Sequence, residues 1–384
     1  MQPESTDATR KLNAQIPLSI EMGGLTKQFG DKCILKDLSL NVVQGEFLVI
    51  LGESGCGKST LLRLITGLDR PLIGTIRIGG VDQNRIAPHQ RDVAAVFQDR
   101  NGYDHLTVRR NLELACKNGN ARNTISLWVE RLKIGATLDL RLNQISGGEL
   151  QRVAIARAML SGKSIVLLDE PLTHLNQSLR DEIQDLILMV HRESRKTFVY
   201  VTHDSDEAFY LANRIAILAD GQIQQVESPR TLYSSPASIA VSQLLGQPTM
   251  NVLMLPQSCF GASDGTDSTL IPCGVRCNDW KITRVSADSK LEHVNCKNRL
   301  TTTDSGLSAS GTIRNCRWMG NRWLLEIECG SKIRITCDSP AEIHIEGVLR
   351  EVEGNSRNGE RCEHPAHLEV TIERSKIHLF RRPK

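Results

Sequence analysis

The sequence predicts an α/β layered domain built on a parallel sheet, followed by a smaller β-rich domain. Three observations carry this expectation. Up to about residue 250, short uninterrupted apolar runs alternate with longer segments of helical periodicity. After Met250 the texture changes to turn-rich stretches separated by short alternating runs. The length of 384 residues also exceeds that of an ordinary single domain.

Phe47–Leu51, Ile165–Leu168 and Phe198–Val201 read as buried parallel strands, because almost nothing polar interrupts them. Leu150–Leu160 and Leu179–Val190 carry the apolar spacing of amphipathic helices. Farther on, residues 258–270 and 301–312 are rich in Gly, Ser, Thr and Asp and read as turns. Trp323–Glu328, Lys332–Cys337 and His367–Glu373 then read as strands of a small β-barrel. The division expected is a disordered lead-in over 1–17, an α/β domain over 18–250 and a β-rich domain over 251–384.

Composition excludes several classes. Apolar residues make up 40% and charged residues 24%, as in an ordinary globular chain, and with only 4% aromatics the core must be aliphatic. A net charge of +3 is too mild for a nucleic-acid surface, so no nucleic-acid partner is expected. The basic tail Arg381-Arg382-Pro383-Lys384 reads as a solvated terminus. No run approaches the roughly 18–20 apolar residues that span a bilayer, and the first residues lack the apolar core of a secretory signal. Work at a membrane would therefore need a separate spanning partner. The 11 cysteines are odd in number and concentrated after Met250; a reduced cytosolic chain needs no pairing. Cys273 and Cys277, with no second pair, are a weak zinc signal, and no metal site is expected there.

The chemistry concentrates in three motifs. Gly52-Glu53-Ser54-Gly55-Cys56-Gly57-Lys58-Ser59 is an intact phosphate loop, preceded by an apolar strand and followed by a helical run beginning at Thr60. Its glycines let backbone N–H groups curl around phosphate oxygens, and the helix N-terminus adds positive partial charge. Lys58 is placed to neutralise the outer phosphates and Ser59 to ligate magnesium. The run Ile165–Leu168 delivers Asp169 and Glu170 to the C-terminal end of a strand, where open α/β sheets bind ligands. Asp169 is placed to hold magnesium, and Glu170 to polarise an attacking water. Between these stands Ile145-Ser146-Gly147-Gly148-Glu149-Leu150-Gln151-Arg152, in which Ser146 and Glu149 also fit a helix capping box.

That third motif resembles the signature sequence of ATP-binding cassette (ABC) proteins, and the flanking QRVAIARA fits as well. The resemblance implies a phosphate-loop ATPase core with a helical subdomain over 99–145, followed by an oligomer-binding-like regulatory barrel of the TOBE type. It also implies that Ser146, Gly147 and Gly148 point at the γ-phosphate bound by a second copy of the chain. Phe29 resembles the aromatic that stacks on adenine, with a core phenylalanine as the alternative. Gln98 resembles the glutamine that touches magnesium and senses the membrane partner, and His203 the histidine that holds the γ-phosphate. Asp204 and Glu207 fit the family pattern with no chemical role of their own. Catalysis is thus expected from Lys58, Glu170 and His203. ATP is expected on Phe29, Gly52, Ser54, Gly55, Cys56, Gly57, Lys58, Ser59, Thr60, Gln98, Ser146–Gly148 and Asp169, and Mg2+ on Ser59, Gln98 and Asp169.

The resemblance covers Leu18 to Leu253 and is closest to importer ATPases of the sugar and glycerol-phosphate type. Asp220–Gln225, Leu232–Pro236 and Gly246–Asn251 match that branch, whereas Arg276 and Lys376–Phe380 echo its C-terminal part only faintly. It implies a homodimer that drives a separate membrane permease, with an external substrate-binding protein, from the cytoplasmic face of the inner membrane. Importers of sulfate, iron or polyamines, a degenerate regulatory cassette, and a soluble cassette ATPase of translation or repair are the alternatives. Glu149 stands where the family carries glutamine, Asn176 where it carries aspartate, and Pro-Glu is missing after Arg276.

Overall fold

The computed structural model describes residues 17–97, 102–116, 121–173, 175–246, 250–256, 270–276, 281–286, 300–303, 306–318, 322–329, 333–340, 367–373 and 377–379. The lead-in up to residue 16, Gln98, His174, Gln247–Thr249, Cys277 and the basic tail lie outside the described residues. The chain divides into two compact units, Met1–Leu232 and Tyr233–Lys384.

In the first unit the strands are β1 (Leu18–Phe29), β2 (Lys32–Val43) and β3 (Phe47–Leu51), then helix α1 (Lys58–Thr66), β4 (Ile73–Ile78), β5 (Val81–Asp82) and β6 (Val93–Val96). Helices α2 (Val108–Ala115), α3 (Ala121–Arg131) and α4 (Gly147–Leu160) follow. The unit continues through β7 (Ile165–Asp169), α5 (Gln177–Ser194), β8 (Thr197–Thr202), α6 (Ser205–Leu211), β9 (Arg214–Ala219) and β10 (Gln222–Glu227). The three strands expected from apolar runs are present. Each of their residues is buried, as a sheet covered on both faces requires.

The main sheet runs β10-β9-β3-β8-β7-β6. Its five other members pair in parallel, and β10 closes one edge antiparallel to β9. A second, antiparallel sheet runs β2-β1-β4-β5. Leu61, Leu62, Leu64 and Ile65 of α1 join Met22, Leu25, Leu35, Leu38, Leu167 and Val201 in one aliphatic core. Helices α2 and α3 lie in the sequence between β6 and α4, where the helical subdomain is expected.

Two polar side chains, one buried and one half-buried, brace the packing on either side of the sheet. The guanidinium of Arg91, only 3% exposed, donates from Nη1 to Leu64 O and Ile65 O at 2.8 Å each, from Nη2 to Gln83 O at 2.7 Å and from Nε to Ile86 O at 3.2 Å. It so supplies a donor to Ile65 O at the C-terminal end of α1 and a second donor to Leu64 O, which also accepts from the Gly67 N–H. Burial draws its pKa below the ordinary guanidinium value. His191 of α5 packs edge-on to Phe47 and Phe198, with ring centroids 5.2 Å away in each case, and its Nε2 lies 3.0 Å from Gly45 O. Burial pushes its pKa below the ordinary imidazole value.

The second unit holds α8 (Ile239–Leu244), reached from α7 (Pro229–Ser234), whose helix spans the division. Its strands are β11 (Asn251–Pro256), β12 (Leu270–Val275), β13 (Lys281–Ser286), β14 (Leu300–Thr303), β15 (Gly306–Trp318), β16 (Arg322–Cys329), β17 (Ile333–Pro340), β18 (His367–Glu373) and β19 (His378–Leu379). They form two antiparallel sheets, β11-β12-β19 and β13-β18-β15-β16-β17, with β14 paired to β15. Residues 306–312, expected within a turn, belong instead to the long β15: Gly306–Thr312 pair in register with β18, and those ladder bonds outweigh the weak strand propensity of Gly and Ser. Arg276, 4% exposed, donates to Leu245 O at 2.7 Å and to Tyr233 O at 2.8 Å and stacks on the Tyr233 ring, so it is a buried anchor of this unit.

Replacing Arg91 by Met should deprive Ile65 O of its side-chain donor, leave Leu64 O and Gln83 O with backbone donors alone, and lower the stability of the first unit by about 1–3 kcal/mol, read as a lower urea midpoint; an unchanged midpoint would refute this role. For His191 the unfolded chain binds the proton more readily, so stability intact above the ordinary imidazole pKa is lost as pH falls through that value. The wild type should therefore lose stability more steeply than H191Q between about pH 8 and about pH 5.5, and parallel profiles would contradict it.

Candidate functional site

The parallel sheet brings the site together at one edge. β3 ends at Leu51, paired with Thr202 of β8, and β7 ends at Asp169, paired with Val201. The segments leaving these strand ends are therefore neighbours, although the first lies more than 100 residues from the others in sequence.

The phosphate loop fills residues 52–57 between β3 and α1, with Ser54 and Gly55 at its turn and Thr60 in the first turn of the helix. Two glycines are sterically required. A Cβ on Gly52 would lie 2.3 Å from Leu218 O and 2.7 Å from Cys56 Sγ. Gly57 has a φ of +113°, and a Cβ there would lie 2.8 Å from Leu35 Cδ2. No side chain caps α1, so the loop presents an uncapped helix N-terminus. Burial pushes the Cys56 thiol up, against the opposing pull of Lys58.

Lys58, 4% exposed, donates to Gly52 O at 2.8 Å and Glu53 O at 2.9 Å, and its Nζ lies 3.4 Å from Glu170 Oε1. The other oxygen of Glu170 is 3.1 Å from His203 Nδ1 and 3.4 Å from Thr173 Oγ1. Glu170 sits in the left-handed region at φ +44°, an uncommon conformation for a residue with a side chain, and its N–H is anchored on Val201 O at 3.1 Å. Ser59 donates its hydroxyl to Asp169 Oδ1 at 3.1 Å, with Asp169 only 7% exposed. Lys58, Ser59, Asp169, Glu170 and His203 thus form one contiguous cluster.

Two other expected groups stand apart from that cluster. Phe29 ends β1 with half its surface exposed, so it is not a core residue, and Lys27 Nζ lies 4.7 Å from its ring centre. Ser146 caps α4, and Gly147 and Gly148 form its first turn. The capping box is complete: Ser146 and Glu149 exchange hydrogen bonds in both directions. Asn176 caps α5, its Oδ1 accepting from Leu179 N–H at 3.0 Å, a task asparagine performs as well as aspartate.

One supporting layer has no clear mark in the sequence. Glu207, 5% exposed, accepts from Tyr200 OH and Thr202 Oγ1 at 2.8 Å each. Thr202 Oγ1 in turn accepts from Asp204 N–H at 3.0 Å. Asp204 caps α6 and meets Arg180 at 3.1 Å. Burial raises the pKa of Glu207, and burial and the neighbouring carboxylate raise that of Tyr200. This network fixes the backbone on both sides of His203. A tyrosine and a threonine in an otherwise apolar run, with Asp204 and Glu207 fitting the family pattern, are the signal it leaves in the sequence.

The sequence model of the ABC transporter family matches residues 35–173. The sn-glycerol-3-phosphate import ATP-binding protein UgpC 3 of Rhizobium etli is 40% identical over 260 residues, covering 66% of this chain and 74% of that relative. The spermidine/putrescine import ATP-binding protein PotA of Chromobacterium violaceum is 34% identical over 346 residues, 84% of this chain and 92% of its own. Among solved structures, the dimeric bacterial ABC transporter cassette MJ0796 matches with 32% identity and a TM-score of 0.50, over 54% of this chain and 98% of that one. An α/β cassette fold, an intact phosphate loop and relatives at this identity and coverage place the chain in the ABC transporter family, as an ATP-binding and ATP-hydrolysing subunit of its import branch.

Proposed function

We propose that this chain hydrolyses ATP at the Lys58–Asp169–Glu170–His203 cluster and that two copies close on two nucleotides to drive a membrane permease. The observation that carries this is the placing of Glu170, whose two oxygens lie 3.4 Å from Lys58 Nζ and 3.1 Å from His203 Nδ1 beside the phosphate loop.

The glycines let the loop pack its backbone against Leu218 and Leu35, and its N–H groups and Lys58 are the donors offered to a phosphate. An arriving triphosphate gives Lys58 a stronger partner than the two carbonyls it now holds, which frees Glu170 to orient and deprotonate a water. His203, now beside Glu170, would hold the γ-phosphate. The Ser59 hydroxyl and the Asp169 carboxylate are hard oxygen ligands held side by side, which fits magnesium. Magnesium so held would neutralise charge on the outer phosphates, with Gln98 as a further ligand. Phe29, exposed at the end of β1, offers a face for adenine. Catalysis is positioning and charge stabilisation.

The second site half is Ser146–Gly148 of another copy, at the capped N-terminus of α4. The helical subdomain over 99–145 docks on the permease, and residues 251–384 form a regulatory oligomer-binding-like barrel. Among the described residues no helix is long and apolar enough to cross a membrane, which suits a peripheral subunit on the cytoplasmic face. Sugars or sugar phosphates, delivered by an external binding protein, are the proposed cargo. This rests on the match of Leu232–Pro236 and Gly246–Asn251 to that branch and on the glycerol-phosphate relative. A polyamine cargo is the second reading, favoured by the longer coverage of the PotA relative.

Glu170→Gln should lower ATP turnover by about a hundredfold or more while leaving nucleotide affinity intact; turnover at the parental rate would remove Glu170 from the chemistry. Purification of the tagged chain from native membranes in mild detergent should recover a multi-span permease. Recovery of soluble partners alone would end the transport assignment.

A further inference from the structure

Glu149 is the third residue of α4, and its carboxylate is engaged with the cap. One oxygen, Oε2, accepts from the Ser146 N–H at 2.8 Å and from the Ser146 hydroxyl at 2.7 Å. In return, the Glu149 N–H donates to Ser146 Oγ at 3.4 Å. A hydroxyl has a single proton to give, and here it goes to the carboxylate. An ionised carboxylate can only accept, so it competes for that proton with any other acceptor that approaches Ser146. An amide in the same place could accept the Ser146 N–H through its oxygen and donate to the Ser146 oxygen through its nitrogen. That would turn the hydroxyl proton outward.

Charge acts in the same direction. The hydrogen bonds from Ser146 hold the Glu149 carboxyl below the usual carboxylate range, so it is ionised at neutral pH. The nearest cation along the helix, Arg152, adds only a minor Coulombic pull on Glu149, and its hydrogen bonds go elsewhere: its Nη2 lies 2.7 Å from Glu182 and its Nη1 donates to Leu132 O at 3.1 Å. A negative charge therefore remains at the first turn of α4. It stabilises the helix itself there, and it repels an anion brought to the same turn.

We infer that Glu149 is a positioning residue that withholds the Ser146 hydroxyl from the γ-phosphate presented by a second copy, so that closure of two copies on ATP is set weaker than the rest of the site allows. The inference rests on the composite site proposed above.

The test uses the full chain with Glu170→Gln, which stops turnover, and measures by sedimentation the ATP concentration at half-maximal dimer. Adding Glu149→Gln should lower that concentration about tenfold, the scale of one hydrogen bond to a charged group. ATP affinity of the monomer, read with a fluorescent analogue, should not move, which a merely structural effect on α4 would not reproduce. When Ser146→Ala is also present, the gain from Glu149→Gln should shrink to the effect of charge alone. A change within about twofold on Glu149→Gln overturns the inference while the composite site stands. If Ser146→Ala leaves dimer formation untouched in the Glu149→Gln chain, or no chain dimerises on ATP, the composite site falls and the inference with it.

Discussion

The register of three parallel strands governs everything at the site. Leu51 opposite Thr202, and Asp169 opposite Val201, align the C-terminal ends of β3, β8 and β7. The phosphate loop, the paired acids and His203 then leave the sheet side by side. A shift of one residue in any of these pairings would turn alternate side chains to the wrong face and separate Ser59 from Asp169. The strands are buried on both faces, so that slip would misfit close-packed side chains above and below the sheet.

Around this register the molecule commits its buried polar groups to backbone placement. Arg91 ties the far end of α1, Glu207 ties Tyr200 and Thr202 just ahead of His203, and the Val201 carbonyl anchors the Glu170 backbone in its left-handed turn. Each is a polar contact between separate elements, satisfied inside a low-dielectric interior where it is strong and specific. Glu170 can hold an uncommon φ because its neighbours on both sides are fixed in this way.

The strand–loop–helix unit around Gly52–Ser59 was legible because its cause is local: an apolar run, glycines, then helical spacing. The Ser146 cap was legible for the same reason, since its partners lie three residues apart. Asp169 and Glu170 could be assigned because a buried strand ends in them. The roles of Arg91 and Glu207 were not legible. Their meaning depends on carbonyls and hydroxyls brought near by folding, and an arginine after a short polar stretch or a glutamate in a helix has no pattern of its own. Strand limits in the second unit were approximate, as Trp323–Glu328 against Arg322–Cys329 illustrates, because ladder pairing extends strands past their apolar residues. Gly306–Thr312 went unrecognised because its small polar residues take their strand from a neighbour. The role proposed for Ser146–Gly148 of another copy rests on family resemblance alone, since a single chain holds no contact between two copies.

Gly57 meets the side chain of Leu35 where the phosphate loop passes over β2. The antiparallel sheet is thereby the floor on which the nucleotide loop rests, and the floor is built of a leucine with no slack above it. Position 35 is then constrained by shape as much as by greasiness: an isoleucine or phenylalanine would be equally at home in the oily interior, yet would press on the loop from beneath. A substitution remote from ATP in every functional diagram could in this way behave as an active-site mutation.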